Sequence, residues 1–464
     1  MVQNGGERDS QASRGPRRTQ RRVTRTGPIL LVLLLCGVAA ILALRWHWRH
    51  EFQRRIGAIR AGGYPATPEE HDAWYPWPKS GDNAANWIVG AATLHQEPPK
   101  GDWQRLGEIL WRQDVDRPDP GRPLAEDLTA LLEQYIRANS DPLESLYEAA
   151  MTPECRYPID LSAGPRVAMS HIGKVRTSVG LLCLQAVLCA EQEDPNAAVR
   201  AVRAAMHVAD SLRNEPVVIS HIIRLYGWAG ICATIERVLN RVRCTDEQLQ
   251  TLSDAFDRLD VTTGLLRAWV GERCLMHPLF VGPQTFDRDD FGKLPPGALL
   301  EAYGALGLSA REGIIYLDFA EECLRIVQLP VCQYRAACEA ADARYVRGRR
   351  GILLRRMTHG SGLFRSHVLY VARLQNARIS LALERHRLAH GEIPQTLDQL
   401  VPEFLSAVPQ DPFDGQPMRY NRQDGGYIVY SVGEDGRDDA GKMQPSKDAR
   451  AGGETWDLAF QVRR

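Results

Sequence analysis

The chain has 464 residues, 44% of them apolar and 25% charged, with a formal net charge of zero. That is enough apolar surface for a sizeable core in two or three substructures, and the balance of charge leaves no strongly basic face for nucleic-acid phosphates. Its ten cysteines include no C-x-x-C pair, which excludes a zinc knuckle.

The chain opens with a polar tail, residues 1–26, in which seven arginines (Arg8, Arg14, Arg17, Arg18, Arg21, Arg22 and Arg25) face only Glu7 and Asp9. Its composition is that of a disordered segment. Residues 29–44 are then uncharged, with Gly27-Pro28 before them and Trp46 and Trp48 behind. About 17–25 apolar residues span a bilayer, and tryptophan favours the interface. Residues 27–48 therefore read as one uncleaved transmembrane anchor. A signal peptide would need a small-residue cleavage site where Arg45 and Trp46 stand, and a twin-arginine signal lacks the apolar residue two places after Arg21-Arg22. By the positive-inside rule the tail stays cytoplasmic and the body lies outside a bacterial inner membrane. Cys36 belongs to the anchor. The other nine cysteines are odd in number and irregular in spacing, and most lie on apolar helical patterns. Buried thiols are expected, with one or two long-range disulfides left open by an exported location.

Residues 49–123 read as juxtamembrane helices and an aromatic, proline-rich loop. A charged helix over 45–60 should stop at Gly62-Gly63, and Thr67, Pro68 and Glu70 have the spacing of a capping box. Trp74, Tyr75 and Trp77 make a hydrophobic plug or a stacking platform. Asp82 is the expected cap of a helix over 83–96. The body, 124–390, carries apolar residues at three- and four-residue spacing, as in Leu128, Leu131, Leu132 and Tyr135. It breaks at Asp194-Pro195-Asn196, Glu215-Pro216 and Thr245-Asp246-Glu247-Gln248. This predicts antiparallel helical hairpins. Residues 182–206 resemble a tetratricopeptide unit, with Leu182, Ala186, Ala198, Val202 and Ala205 at its small and large positions, although no 34-residue period follows. Residues 278–296 break the pattern with Gly282, Pro283, Gly292 and Pro295 around Asp287, Asp289 and Asp290, a loop that could be solvated or hold a cation. Arg344, Arg347, Arg349, Arg350, Arg355 and Arg356 form a basic run that is either solvated or laid on anionic headgroups.

After a long helix over 366–387 the character changes. Residues 409–417 are turn-rich, and 418–421 and 427–432 read as strands around Asp424-Gly425-Gly426. A glycine-rich acidic loop follows at 433–441, and 455–462 could add a strand. The order DPF-x-G-x-P-x-x-Y, hairpin, YS-x-G-x-DG-x-DD-x-G resembles the C-terminal cap of the major pseudopilin of type II secretion. It also resembles the end of a broad group of bacterial membrane-anchored proteins. The likeness covers about residues 391–441, and the pseudopilin start is missing. It implies a calcium-stabilised cap with Asp435, Asp438 and Asp439 as the carboxylate ligands, helped by backbone carbonyls at 431–433; oxygen ligands on a glycine-rich loop suit that ion.

No HExxH, P-loop, GxSxG or GxGxxG pattern occurs. His386 and His390 are four apart and could seat a metal, but a helix end explains them. Glu272, Arg273 and His277 form the other cluster of catalytic residue types, for which an intrahelical charge pair suffices. The expected object is mainly α: a transmembrane helix, a body of helical hairpins that is partly tetratricopeptide-like, and a β-hairpin cap over 391–464. Three functions fit: a non-enzymatic interaction module with a protein partner in the envelope, a hydrolase or lyase with an Asp/Glu/His site between helices, or an accessory part of a secretion or pilus-like system.

Overall fold

The computed structural model describes residues 26–110, 118–286, 295–345, 351–354, 360–442 and 456–463. The fold is mainly helical, with one three-stranded antiparallel sheet at the C-terminal end. Helix α1, Thr26–Ala61, is unbroken for 36 residues, about 54 Å at 1.5 Å per residue. Its apolar first half is exposed along its length and is long and apolar enough to cross a membrane. Its second half belongs to the body. Gly62 N donates to Ala58 O at 3.0 Å, and Gly63, at φ +82°, ends the helix.

The remaining helices are α2 (Pro68–Trp74), α3 (Ala84–Leu94), α4 (Lys100–Leu110), α5 (Glu126–Ala138), α6 (Ser140–Met151), α7 (His171–Glu191), α8 (Pro195–Asp210), α9 (Val218–Arg241), α10 (Asp246–Asp257) and α11 (Val261–Val281). They are followed by α12 (Gly297–Ala305), α13 (Leu308–Ile326), α14 (Tyr334–Tyr345) and α15 (Gly360–His390). Helices α7 and α9 also have the length and apolarity of membrane spans, but protein buries most of each. They are apolar nearly all round because they form the centre of the body. Helices α7 and α8 make the hairpin expected over 182–206. Asp194 caps α8 by accepting from Ala197 N at 2.9 Å, and Leu182, Ala186, Ala198, Val202 and Ala205 are all buried.

One apolar core joins the body to the cap, running from Tyr75 and Ile88 through α7 and α9 to Tyr427, Val429, Phe460 and Val462. A second gathers Phe52 and Ile56 of α1, Trp269 and Phe280 of α11, Tyr316 and Phe319 of α13 and Phe364 of α15. Glycine makes the α1 contact close: a Cβ on Gly313 would lie 2.6 Å from the Phe52 ring. Arg55 pairs with Asp318 across the same contact.

Local chemistry accounts for most ends, with some shifts from expectation. Thr245 and Gln248 form a full capping box, the Gln248 amide accepting from Thr245 N at 2.8 Å and the Thr245 hydroxyl accepting from Gln248 N at 3.3 Å. Thr67 caps α2, its hydroxyl accepting from Glu70 N, and the Glu70 carboxylate accepts from Ala66 N at 2.8 Å and pairs with Arg60. The cap of α3 is Asn83, not Asp82; its side chain accepts from Ala85 N and donates to Arg156 O. Helix α11 runs three residues past Pro278, which packs against Gly164 (φ +61°). In the aromatic stretch only Tyr75 is buried, while Trp77 is exposed under the Arg156 guanidinium at 4.2 Å. Seven of the ten cysteines are buried. The tail arginines, Asp287, Asp289, Asp290, and Arg347, Arg349, Arg350, Arg355 and Arg356 of the basic run lie outside the described residues.

Buried ions tie the layers together. The Glu191 carboxylate at the end of α7 accepts from Arg237 at 2.9 Å and from Leu124 N at 3.0 Å. Arg237 donates on to Arg122 O at 3.0 Å. Burial holds His71, His221 and His367 neutral. His71 donates to Pro216 O at 2.9 Å, and His221 and His367 share a hydrogen bond at 3.2 Å. Burial pushes His71 down to about 4 and His367, with Arg224 adding to the effect, down to about 3.

Two expectations follow from this packing. Gly313→Ala should cost about 1–3 kcal/mol by forcing Phe52 aside, read as a lower melting temperature in detergent with faster hydrogen exchange over residues 52–56; unchanged values would contradict the close contact. Unfolded histidines protonate near 6.5, so the unfolded chain binds more protons below that pH and stability should fall as the pH drops from about 6.5 towards 4. His367→Phe should make this slope shallower, whatever its effect at pH 8.

Candidate functional site

The cap is built on a hairpin. Strands β1 (Arg419–Gln423) and β2 (Gly426–Ser431) are joined by Asp424-Gly425, with Gly425 at φ +75°, and β3 (Leu458–Arg463) pairs with the other edge of β2. A two-residue turn with glycine matches the twist of the strands. Side chains of the body receive β3: Asn240 donates to Gln461 O at 2.8 Å, Glu236 accepts from Gln461 N at 2.8 Å, and Asn376 donates to Leu458 O at 2.6 Å.

Asp411, fully buried, explains why the DPF and YS-x-G segments belong together. Its Oδ1 accepts from Phe413 N at 3.0 Å and from the Ser431 hydroxyl at 2.8 Å. Its Oδ2 accepts from Val432 N at 3.0 Å and from Arg419 at 2.8 Å. Arg419 also clasps Asp414, and its Nε lies 3.7 Å from Asp438 Oδ2. One guanidinium thus serves three carboxylates, two of them in hydrogen-bonded pairs, which are stronger than neutral bonds.

The three carboxylates expected to bind calcium do not meet at one point. Asp435 accepts from Arg437 N within its own turn, and Asp438 Oδ1 accepts from the Tyr430 hydroxyl and Ala440 N, each at 3.0 Å. Asp439 contributes its backbone N–H, which donates to Asp457 Oδ2 at 3.0 Å; Gly441 N donates to the same oxygen at 2.8 Å. Among the described residues no three His, Cys, Asp or Glu side chains gather closely enough to hold a metal ion. Asp457 is the residue that sequence reasoning missed. It is buried, its Oδ1 has no partner among the described residues, and burial with the charges of Asp438 and Asp439 pushes its carboxyl up to about 6.

The other candidates are apart. Glu272 and His277 are both on α11, five residues and so about 140° apart around the axis. Burial pushes Glu272 up to about 7, while His277 stacks on Phe52 at 5.7 Å. Arg273 does not pair with Glu272 but donates to Pro65 O at 3.2 Å. The His386 and His390 rings lie 4.3 Å apart, tilted by 44°, beside Phe404, with His386 Nδ1 donating to Glu392 O at 3.1 Å.

A different surface is distinctive. Trp87 and Leu94, one face of α3, are 45% and 53% exposed, and Trp103 of α4 is 42% exposed. His95, next to Leu94, bonds the Tyr135 hydroxyl at 2.7 Å, and the Trp103 ring lies 6.2 Å from the Tyr135 ring, so Tyr135 links the end of α3 to α4. No protein-family model, curated protein or solved structure matches the chain.

Asp411→Ala should cost about 3 kcal/mol, because it strands Val432 N and leaves Arg419 short of a counter-charge. Asp435→Ala, at an exposed turn, should stay within about 0.5 kcal/mol. Thermal melting with hydrogen exchange over β1 and β2 checks both, and equal effects would contradict the role given to Asp411.

Proposed function

We propose that the protein is a membrane-tethered interaction module of the cell envelope, with α1 as the tether and the helical body as a docking surface for another protein. The observation that carries this is the exposure of three large apolar side chains, Trp87 and Leu94 on one side of α3 and Trp103 on α4. Tryptophan is among the side chains that most often dominate binding energy, and solvated apolar groups of this size cost free energy that a partner relieves. The arginine-rich tail supports placing that tail in the cytoplasm and the body outside. The likeness of residues 391–441 to pseudopilin caps supports a secretion or pilus-like assembly as the setting. Cross-linking in intact membranes should recover an envelope protein with the wild type. Trp87→Ala with Trp103→Ala should reduce that recovery about tenfold or more. Recovery of nothing beyond the chain itself, or the same recovery from the variant, would count against the module.

A second reading, calcium binding by the cap, is favoured by one observation, the orphaned Oδ1 of Asp457 beside Asp438 and Asp439. An oxygen-rich loop would hold the ion through these carboxylates, and the ion would supply the positive charge that the group lacks. Millimolar calcium should then raise the melting temperature of the wild type, a chelator should reverse it, and Asp457→Asn should abolish the response. Without calcium the sign reverses. The Asp457 carboxyl is raised above its unfolded value near 3.9, so its ionisation costs stability as pH rises through about 6. Asp457→Asn should then melt higher than the wild type at pH 7 and equal to it below about pH 4. A wild type indifferent to chelator would dispose of the calcium reading.

A further inference from the structure

The outward face of α12 is apolar. Leu299, Ala302 and the following Leu306 recur at three- and four-residue spacing and so share one side; Leu299 and Leu306 are 53% and 42% exposed. Ala298 and Ala305 beside them are exposed too, and Glu301 is the only charged residue of the helix.

Helix α1 fixes where this face lies. Gly307, at φ +76°, turns the chain from α12 into α13 at a point where a Cβ would stand 2.9 Å from Arg45 Cα, and Arg49 donates to Gly304 O at 3.3 Å. From there α13 runs in the same direction as α1, since Gly313 meets Phe52 and Asp318 then pairs with Arg55. Helix α12 is therefore at the end of α13 nearest the exposed apolar half of α1, the level at which α1 would emerge from a bilayer. Around it stand exposed Trp46, Arg49, His50 and Arg311, the last 5.8 Å from the Trp48 ring. Tryptophan rings and arginines gather at the headgroup level, and anionic lipid attracts the cations.

We infer that α12 is an in-plane membrane helix, with Leu299 and Leu306 inserted among the lipids of a phospholipid bilayer, so that the body is seated on the membrane rather than held away from it. This rests on the reading of α1 as the membrane anchor. The apolar side dips into the acyl boundary while the basic cluster holds the headgroups.

The test uses the full chain carrying a benzophenone amino acid at position 299, 306, 35 or 151, reconstituted into phosphatidylethanolamine–phosphatidylglycerol vesicles and irradiated. Leu35 lies in the exposed apolar half of α1, and Met151 is an exposed apolar residue at the end of α6. Phospholipid adducts are expected at 35, 299 and 306, with at least tenfold less at 151. Adducts at 35 with none at 299 and 306, or with chain-to-chain products there instead, overturn the in-plane helix and leave the anchor standing. No lipid adduct at 35 overturns the anchor itself and the inference with it.

Discussion

The contact between α1 and α13 is the constraint from which the rest of the architecture follows. A helix of 36 residues carries an exposed apolar half and a half whose Phe52 and Ile56 are buried with α11, α13 and α15. Helical backbone bonds leave no joint between the halves, and Gly307 and Gly313 bring α13 against α1 so closely that a side chain on either would clash. A membrane segment is usually joined to its domain by a linker whose length sets the freedom of the domain. Here the apolar half runs on without a break into a helix packed in a core, so the position of the body follows from the position of that half.

At the other end of the chain the cap is equally integral. Its strands complete the core that begins at Tyr75, and β3 is received by Glu236, Asn240 and Asn376 of the body. Within it, Asp411 and Arg419 do the work that a cation does in calcium-stabilised loops: they neutralise charge and hold two turns against one strand. Asp457 is not paired with that arginine, and its buried Oδ1 has no partner among the described residues.

Much of this was legible in the sequence because it is decided locally. A helix apolar enough to cross a membrane needs only an uncharged run, the Gly62-Gly63 stop only a left-handed cap, and the Asp424-Gly425 hairpin only a turn that tolerates positive φ. The Thr245–Gln248 box depends on residues three apart. What was not legible depends on partners distant in the chain. Nothing local says that Arg419 will lie between Asp411 and Asp414 with Asp438 nearby, or that Asp457 will receive Asp439 N and Gly441 N across a gap of sixteen or more residues. Pro278 shows the same limit: tertiary packing against Gly164 lets α11 continue where local preference would end it. Asp82 and Asn83 are both good caps, and Asn83 takes the role because it also reaches Arg156 O.

The central claim is that the apolar half of α1 and the body form one rigid unit. Hydrogen–deuterium exchange of the full chain in lipid nanodiscs addresses it at residues 45–51, between the apolar half and Phe52. Exchange as slow there as in α13 is the predicted result. Exchange within seconds over 45–51, beside slow exchange in α13, would reveal a hinge and contradict the account.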